Sequence, residues 1–244
     1  MELQGRTALV TGGSSDIGMA TARALARRGA DVVIHCNSGT EKAEGVRAEV
    51  EALGRRATVI RADLTLHDET RRLAHEAVAF GPIDILINNA GHVVRRVHWM
   101  ELDPAHLDRV FGLNYRAPLY LAQSLTPAMV ERGRGVVINL LSTAAWGGGS
   151  NTAFAYGSAK GALHTLTQGL ARDLAPKGVR VLAVAPGTIN TAFQREPGNV
   201  EIWQNWVGNI PVGRIGQPEE IGEVVAFRSL LARSLLDAVA LDHR

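Results

Sequence analysis

Cysteine, lysine and tyrosine are scarce in this chain of 244 residues, which holds one, three and three of them. The lone Cys36 has no partner for an intramolecular disulfide, and no cluster of Cys and His stands at metal-ligand spacing. A reducing, cytoplasmic setting and no bound metal are therefore expected. Long hydrophobic runs are also missing: the stretches 135–141 and 179–185 stop well short of the roughly 20 residues that a membrane helix needs. Residues 1–6 lack the apolar segment of an export signal. Neither sign of charge prevails, since 26 Lys and Arg face 24 Asp and Glu for a formal net charge of +2. Both signs are interspersed, so there is no basic arm for nucleic acid. Pro/Ser/Gly-rich linkers, low-complexity tracts and internal repeats are absent as well. These absences leave one soluble domain over residues 1–244, with no membrane or nucleic-acid partner.

What is present is a folding composition, 46% hydrophobic and 20% charged, in a chain long enough to bury one large core. Short aliphatic runs at 7–11, 31–35, 57–60, 83–88, 135–141, 179–185 and 238–241 are predicted strands. Helical spacing of apolar residues fills the gaps, at 17–28, 40–53, 67–80, 104–132, 153–175 and 218–232. Runs that are apolar at successive positions are what strands covered on both faces require. The alternation predicts an α/β fold, a doubly wound parallel sheet of about seven strands with helices on both faces. Gly29, Gly54, Gly81, Gly133 and Gly178 each follow a helical pattern, where a left-handed residue closes the helix.

The first strand-to-helix connection reads Thr11-Gly12-Gly13-Ser14-Ser15-Asp16-Ile17-Gly18. Small residues let a diphosphate approach the backbone, and the helix start offers unpaired N–H groups and partial positive charge. A plain glycine-rich connection is the alternative. A second signal is rarer. With three tyrosines and three lysines, chance places a Tyr four residues before a Lys only about 0.04 times in this length. Tyr156-Gly157-Ser158-Ala159-Lys160 does so, and residues at i and i+4 share a helix face. A cation roughly 5 Å from a phenol contributes about 3 kcal/mol toward the phenolate at an effective dielectric near 20. That moves a tyrosine toward useful proton exchange with a carbonyl or alcohol. A surface pair is the bland alternative.

These motifs, with Asp63, Asn88-Asn89-Ala90-Gly91, Asn114, Ser142 and Pro186-Gly187, resemble the short-chain dehydrogenase/reductase family. The resemblance is to its single-domain, NAD(P)-dependent Rossmann branch and covers nearly the whole chain. It is similar in this to 3-oxoacyl carrier-protein reductases and sugar or polyol dehydrogenases. It implies that Tyr156 is the general acid in carbonyl reduction and the base in alcohol oxidation. Lys160 would hold the nicotinamide ribose and lower the Tyr156 pKa, while Ser142 would polarise the substrate oxygen. Asn114 would support a relay water where its helix is locally distorted. Thr143 competes with Ser142 as the adjacent hydroxyl, and reading Asn139-Leu140-Leu141-Ser142 against the family's strand end favours Ser142.

For the cofactor, the resemblance implies Gly12, Ser14, Ser15, Ile17 and Gly18 at the diphosphate turn. It sets Asn89, Ala90 and Gly91 beside the adenosine ribose and Asp63 and Leu64 at adenine. Pro186, Gly187, Ile189 and Thr191 surround the carboxamide. The second strand ends in His35-Cys36-Asn37-Ser38, with no carboxylate for a free 2′-hydroxyl. Ser14, Asn37 and Ser38 could instead donate to a 2′-phosphate, which favours NADP(H) and leaves NAD(H) open. His35 and Cys36 read as packing residues.

Two positions depart from the family pattern. Asp16 stands where its middle glycine is usual and is expected to cap its own helix, as Asp does at N-termini. The last segment, 236–244, lacks the family's Asp-Gly-Gly ending. Apolar residues on a second face of helix 153–175, namely Phe154, Ala162, Leu166, Leu170 and Leu174, predict a homodimer or homotetramer. Residues 188–211, with Phe193, Trp203 and Trp206, are a candidate substrate lid, and Trp146 a candidate pocket wall. The absence of a charged cluster favours a neutral small-molecule carbonyl or alcohol. A non-catalytic dinucleotide-binding sensor or scaffold is the alternative function, and a sugar-nucleotide epimerase or dehydratase a third.

Overall fold

Six stretches take up strand geometry in the computed structural model, which describes residues 2–195, 207, 208 and 210–230. They are β1 (Thr7–Val10), β2 (Asp31–Cys36), β3 (Ala57–Arg61), β4 (Ile85–Asn88), β5 (Gly135–Leu140) and β6 (Val179–Val184). All pairings are parallel, in the order β3-β2-β1-β4-β5-β6. The seventh strand expected at 238–241 lies outside the described residues. Eight α-helices are described: α1 (Asp16–Arg27), α2 (Thr40–Ala52), α3 (His67–Phe80), α4 (Pro104–Phe111), α5 (Ala117–Glu131), α6 (Ala144–Gly147), α7 (Phe154–Leu174) and α8 (Pro218–Arg228).

Successive strand residues point to opposite faces, and here both faces are apolar. Ala8, Val10, Ile34, Ile87 and Ile138 pack with Leu25 of α1, Val46 of α2 and Val225 of α8. Leu9, Val33, Leu86 and Val137 pack with Leu73 of α3, Leu125 of α5 and Leu174 of α7. The sheet is thus doubly wound, and its strand order reverses between β1 and β4. Ligands of such folds bind outside the carboxyl ends of the strands at that reversal.

The helix expected over 104–132 is broken into α4 and α5 by a π turn, Gly112–Arg116. The cause is Pro118, which has no N–H to give to the carbonyl four residues back. The N–H of Ala117 reaches back five residues to Gly112 instead. Four of the five predicted helix-closing glycines are left-handed; Gly81, with φ 167°, is extended. At Gly178 the requirement is also steric, because a Cβ there would lie 2.2 Å from the Gly133 carbonyl oxygen.

A buried polar chain fixes α7 on the sheet. Asn88 Nδ2 donates to Asn139 Oδ1 at 2.8 Å, and Asn139 Nδ2 to Thr167 Oγ1 at 2.8 Å. On the other side of β1, His35 does more than fill space. Its Nδ1 accepts the Gly12 N–H at 3.1 Å while Nε2 lies 3.0 Å from the Ala62 carbonyl. The imidazole is therefore neutral, with the proton on Nε2, and clamps the turn after β1 to β2.

Burial holds the His35 pKa down at about 4. Between that value and the usual 6.5 only the unfolded chain binds the proton, so this stability is present above pH 6.5 and is lost as pH falls toward 4. Urea unfolding of wild type and His35→Gln at pH 7 and pH 5 should show wild type losing about 2 kcal/mol more on acidification.

Candidate functional site

The turn after β1 is held by side chains from two strands. Thr11 Oγ1 donates to the Ile87 carbonyl at 3.2 Å and accepts the N–H groups of Asn89 and Ala90, both at 3.0 Å. Asn89 Nδ2 donates to the carbonyls of Thr11 at 2.8 Å and Gly12 at 3.1 Å. Gly12 adopts φ +64°, and α1 starts so close that a Cβ on Gly18 would stand 2.0 Å from the Gly12 oxygen. Ser15, not Asp16, caps α1: its Oγ accepts the Gly18 N–H at 3.3 Å. The expectation for Asp16 is thereby corrected. A serine one residue earlier already has the extended backbone of a cap, which frees the Asp16 carboxylate to bond elsewhere, to the N–H of Ala192.

Across the crevice, α7 carries Tyr156 and Lys160 one turn apart. Lys160 is only 2% exposed; its Nζ donates to the Leu140 carbonyl at 2.6 Å and lies 5.6 Å from the Tyr156 ring centroid. Burial disfavours the ammonium and lowers its pKa to about 7. Burial also raises the Tyr156 phenol to about 12, against the opposing effect of a hydrogen bond with Ser142. The expected lowering of the phenol pKa by Lys160 is thus not found: burial raises it, and the opposing effect comes from Ser142. Ser142, two residues past the end of β5, lines the cavity, whereas Thr143 is exposed.

Asn114, within the π turn, is fully buried. Its Nδ2 donates to the carbonyls of His92 at 2.9 Å and Val110 at 2.8 Å, while Oδ1 has no partner. A Cβ on Gly91 would meet that Oδ1 at 2.8 Å and Lys160 Nζ at 2.9 Å. Glycine therefore keeps open a pocket on which an orphaned acceptor and a buried cation converge.

A cavity of about 440 Å³ joins these parts. Ser14, Ser15, Ile17 and Asn89 line one region of it, and Gly91, Ser142, Tyr156 and Lys160 another, with Pro186, Gly187, Ile189 and Thr191 completing the wall. Gly12, Gly18 and Ala90, packed together at the turn, are not in the lining. Asn37 and Ser38 lie beside it, since Ser14 Oγ donates to the Ser38 carbonyl at 3.0 Å. Asp63 and Leu64 are not in the lining; Asp63 Oδ1 is taken by the N–H and hydroxyl of Thr65 at 2.9 and 2.8 Å. A helix start with small residues and a distant buried ammonium with hydroxyls fit the two halves of a nicotinamide dinucleotide. Among the described residues no group of His, Cys, Asp or Glu could hold a metal.

Several lining residues are not among the expected cofactor contacts. Lys42 of α2 reaches the cavity beside Ser14, and its position just after β2 in a chain with three lysines was the available signal. Asp16 and Ala192 line it together, a contact across 176 residues that sequence spacing does not encode. Phe193, expected only as part of a lid, has its ring centroid 6.2 Å from that of Tyr156 and 5.1 Å from that of His92. Trp203 and Trp206 lie outside the described residues. Trp146 is no pocket wall; it is exposed and packs on His164 with centroids 5.1 Å apart. Leu170 and Leu174, read as part of a second apolar face, belong to the sheet-facing core, whereas Phe154 is exposed.

Residues 6–200 match the short chain dehydrogenase family. Among curated sequences, a hydroxynaphthalene reductase-like protein of Metarhizium robertsii is 36% identical over 238 residues, covering 92% of this chain and 88% of its own. Among solved structures, a 3-oxoacyl (acyl-carrier-protein) reductase of Agrobacterium tumefaciens with NADP bound superposes with TM-score 0.87 at 33% identity, covering 96% of this chain and 90% of that one. A short chain dehydrogenase of Burkholderia cenocepacia in complex with NADP gives TM-score 0.84 at 35% identity, over 93% and 91% of the two chains. The chain belongs to the short-chain dehydrogenase family of oxidoreductases.

Proposed function

We propose that the protein is an NADP(H)-preferring reductase or dehydrogenase acting on a small carbonyl compound or its secondary alcohol. One observation carries the reading: a phenol bonded to a serine hydroxyl and a buried ammonium 5.6 Å from its ring line one cavity whose far side is a helix start. The nicotinamide, when bound, supplies or accepts the hydride. Tyr156 Oη gives its proton to the carbonyl oxygen in reduction and takes the alcohol proton in oxidation. The Ser142 hydroxyl donates to the same oxygen and orients it. Lys160 Nζ, fixed on the Leu140 carbonyl, keeps two donors for ribose hydroxyls and, when charged, favours the phenolate. The orphaned Asn114 Oδ1 accepts from a water that refills the proton on Tyr156.

NADP(H) over NAD(H) is supported by the missing carboxylate after β2 and by Lys42 beside Ser14. NADP bound to the Agrobacterium and Burkholderia relatives supports it further. Association into a homodimer or homotetramer is part of the same reading, supported by exposed Phe154 and Leu107 on α7 and α4. A cytoplasmic setting is part of the same reading, supported by a single cysteine, buried Cys36, with no disulfide partner in the chain.

The test is nicotinamide absorbance during incubation with NADPH or NADH and a panel of β-ketoacyl thioesters, ketoses, diketones and aromatic ketones. Wild type should consume NADPH, and Tyr156→Phe should lose at least about 100-fold in kcat. Failure of every pair in both directions would favour a dinucleotide-binding module without turnover.

Fluorescence titration gives a second check. Lys42→Ala should weaken NADPH binding about ten-fold, the worth of one charge-assisted contact, and leave NADH within about two-fold.

A further inference from the structure

The carboxylate of Asp16 stands at the start of α1, beside the turn where a diphosphate is expected, and a segment far along the chain engages it there. Oδ2 accepts the Ala192 N–H at 2.6 Å and lies 3.8 Å from Arg195 Nη2. The helix gains nothing from it as a cap, because Ser15 fills that role. What it holds is the segment after β6. That segment is rooted at its near end: Gly216 N donates to the Thr188 carbonyl at 3.0 Å, Asn190 N to the Gly216 carbonyl at 2.9 Å, and Ile189 pairs with Gly216 as a parallel bridge. Beyond the root, Arg195 Nη1 folds back on Asn190 Oδ1 at 2.6 Å. Asp16 is the tie from this segment to the turn after β1. The residue next to the tied amide is Phe193, whose ring faces Tyr156 and His92 and lies under the Arg96 guanidinium at 5.5 Å.

We propose that Asp16 is a positioning residue: through Ala192 it fixes Phe193 as the wall of the substrate pocket over Tyr156. This rests on the reductase reading for its kinetic effect, though not for the tie itself. The carboxylate accepts one amide and faces one guanidinium, so its charge is balanced by the segment it holds. Without the tie, residues 191–195 lose their anchor on the turn, and each substrate must order them on binding.

The experiment is a double-mutant cycle on Asp16→Ala and Phe193→Ala, with NADPH affinity measured separately by fluorescence and amide exchange measured on the cofactor-free protein. Asp16→Ala should raise the carbonyl KM about ten-fold with NADPH Kd within about two-fold. Asp16→Asn, which keeps an acceptor oxygen, should restore most of it. In the Phe193→Ala background Asp16→Ala should add little, since both act through one ring. Exchange of the Ala192 amide should quicken in Asp16→Ala and not in Asp16→Asn, with the protection of β1 and α1 unchanged. Additive KM effects, an NADPH Kd that moves with KM, or unaltered Ala192 exchange would each overturn the proposal. If wild type reduces nothing, the functional reading fails alone, because the exchange measurement still reports on the tie.

Discussion

The burial of the Lys160 ammonium is the constraint around which the site is organised. Taking a cation out of water is unfavourable by several kcal/mol unless charge and hydrogen bonds replace the solvent. Among the described residues one carbonyl, that of Leu140, accepts from it and no carboxylate pairs with it, and burial lowers its pKa to about 7. Two of its donors, and the Asn114 acceptor across Gly91, are left for something the chain does not itself contain. Polar groups left unsatisfied in an apolar interior are disfavoured, so their persistence at one point marks where binding energy is stored.

The rest of the fold can be understood as what keeps that point rigid. The Asn88, Asn139 and Thr167 chain locks α7 to the sheet, so Tyr156 and Lys160 inherit the stiffness of a six-stranded parallel core. The opposite wall is a turn with almost no side-chain bulk of its own, and it is held by Thr11, Asn89 and His35 from three strand ends. One wall is thus set by packing and the other by hydrogen bonds. The second kind is sensitive to protonation, since a charged His35 could no longer accept from Gly12.

Much of this was legible in the sequence for a simple reason. Strands covered on both faces must be apolar at successive positions, so the runs at 31–35 and 135–141 could be little else, and both formed with ends within one residue. The pair Tyr156 and Lys160 was legible because rarity gives spacing its meaning. The π turn was harder: Pro118 announces a fault in the hydrogen-bond ladder, but not whether the helix kinks, stops or widens. Gly81 shows the limit of rules for single residues, because glycine permits the left-handed conformation without demanding it. Asp16 shows the limit of local rules altogether. Its partner lies 176 positions away, and a good helix cap beside it had already taken the role that local chemistry assigned to it.

The Tyr156 and Lys160 pair carries one further consequence. Each group alone is shifted by burial toward its neutral form, the phenol up and the ammonium down, so in the protein by itself their mutual attraction as ions is not realised. Ionising either one makes ionising the other easier. Anything that adds acceptors for the Lys160 N–H groups stabilises the ammonium first, and the phenolate follows through the Coulomb interaction between neighbours one helix turn apart. The protonation of these two residues is therefore set by what fills the cavity as much as by the residues themselves.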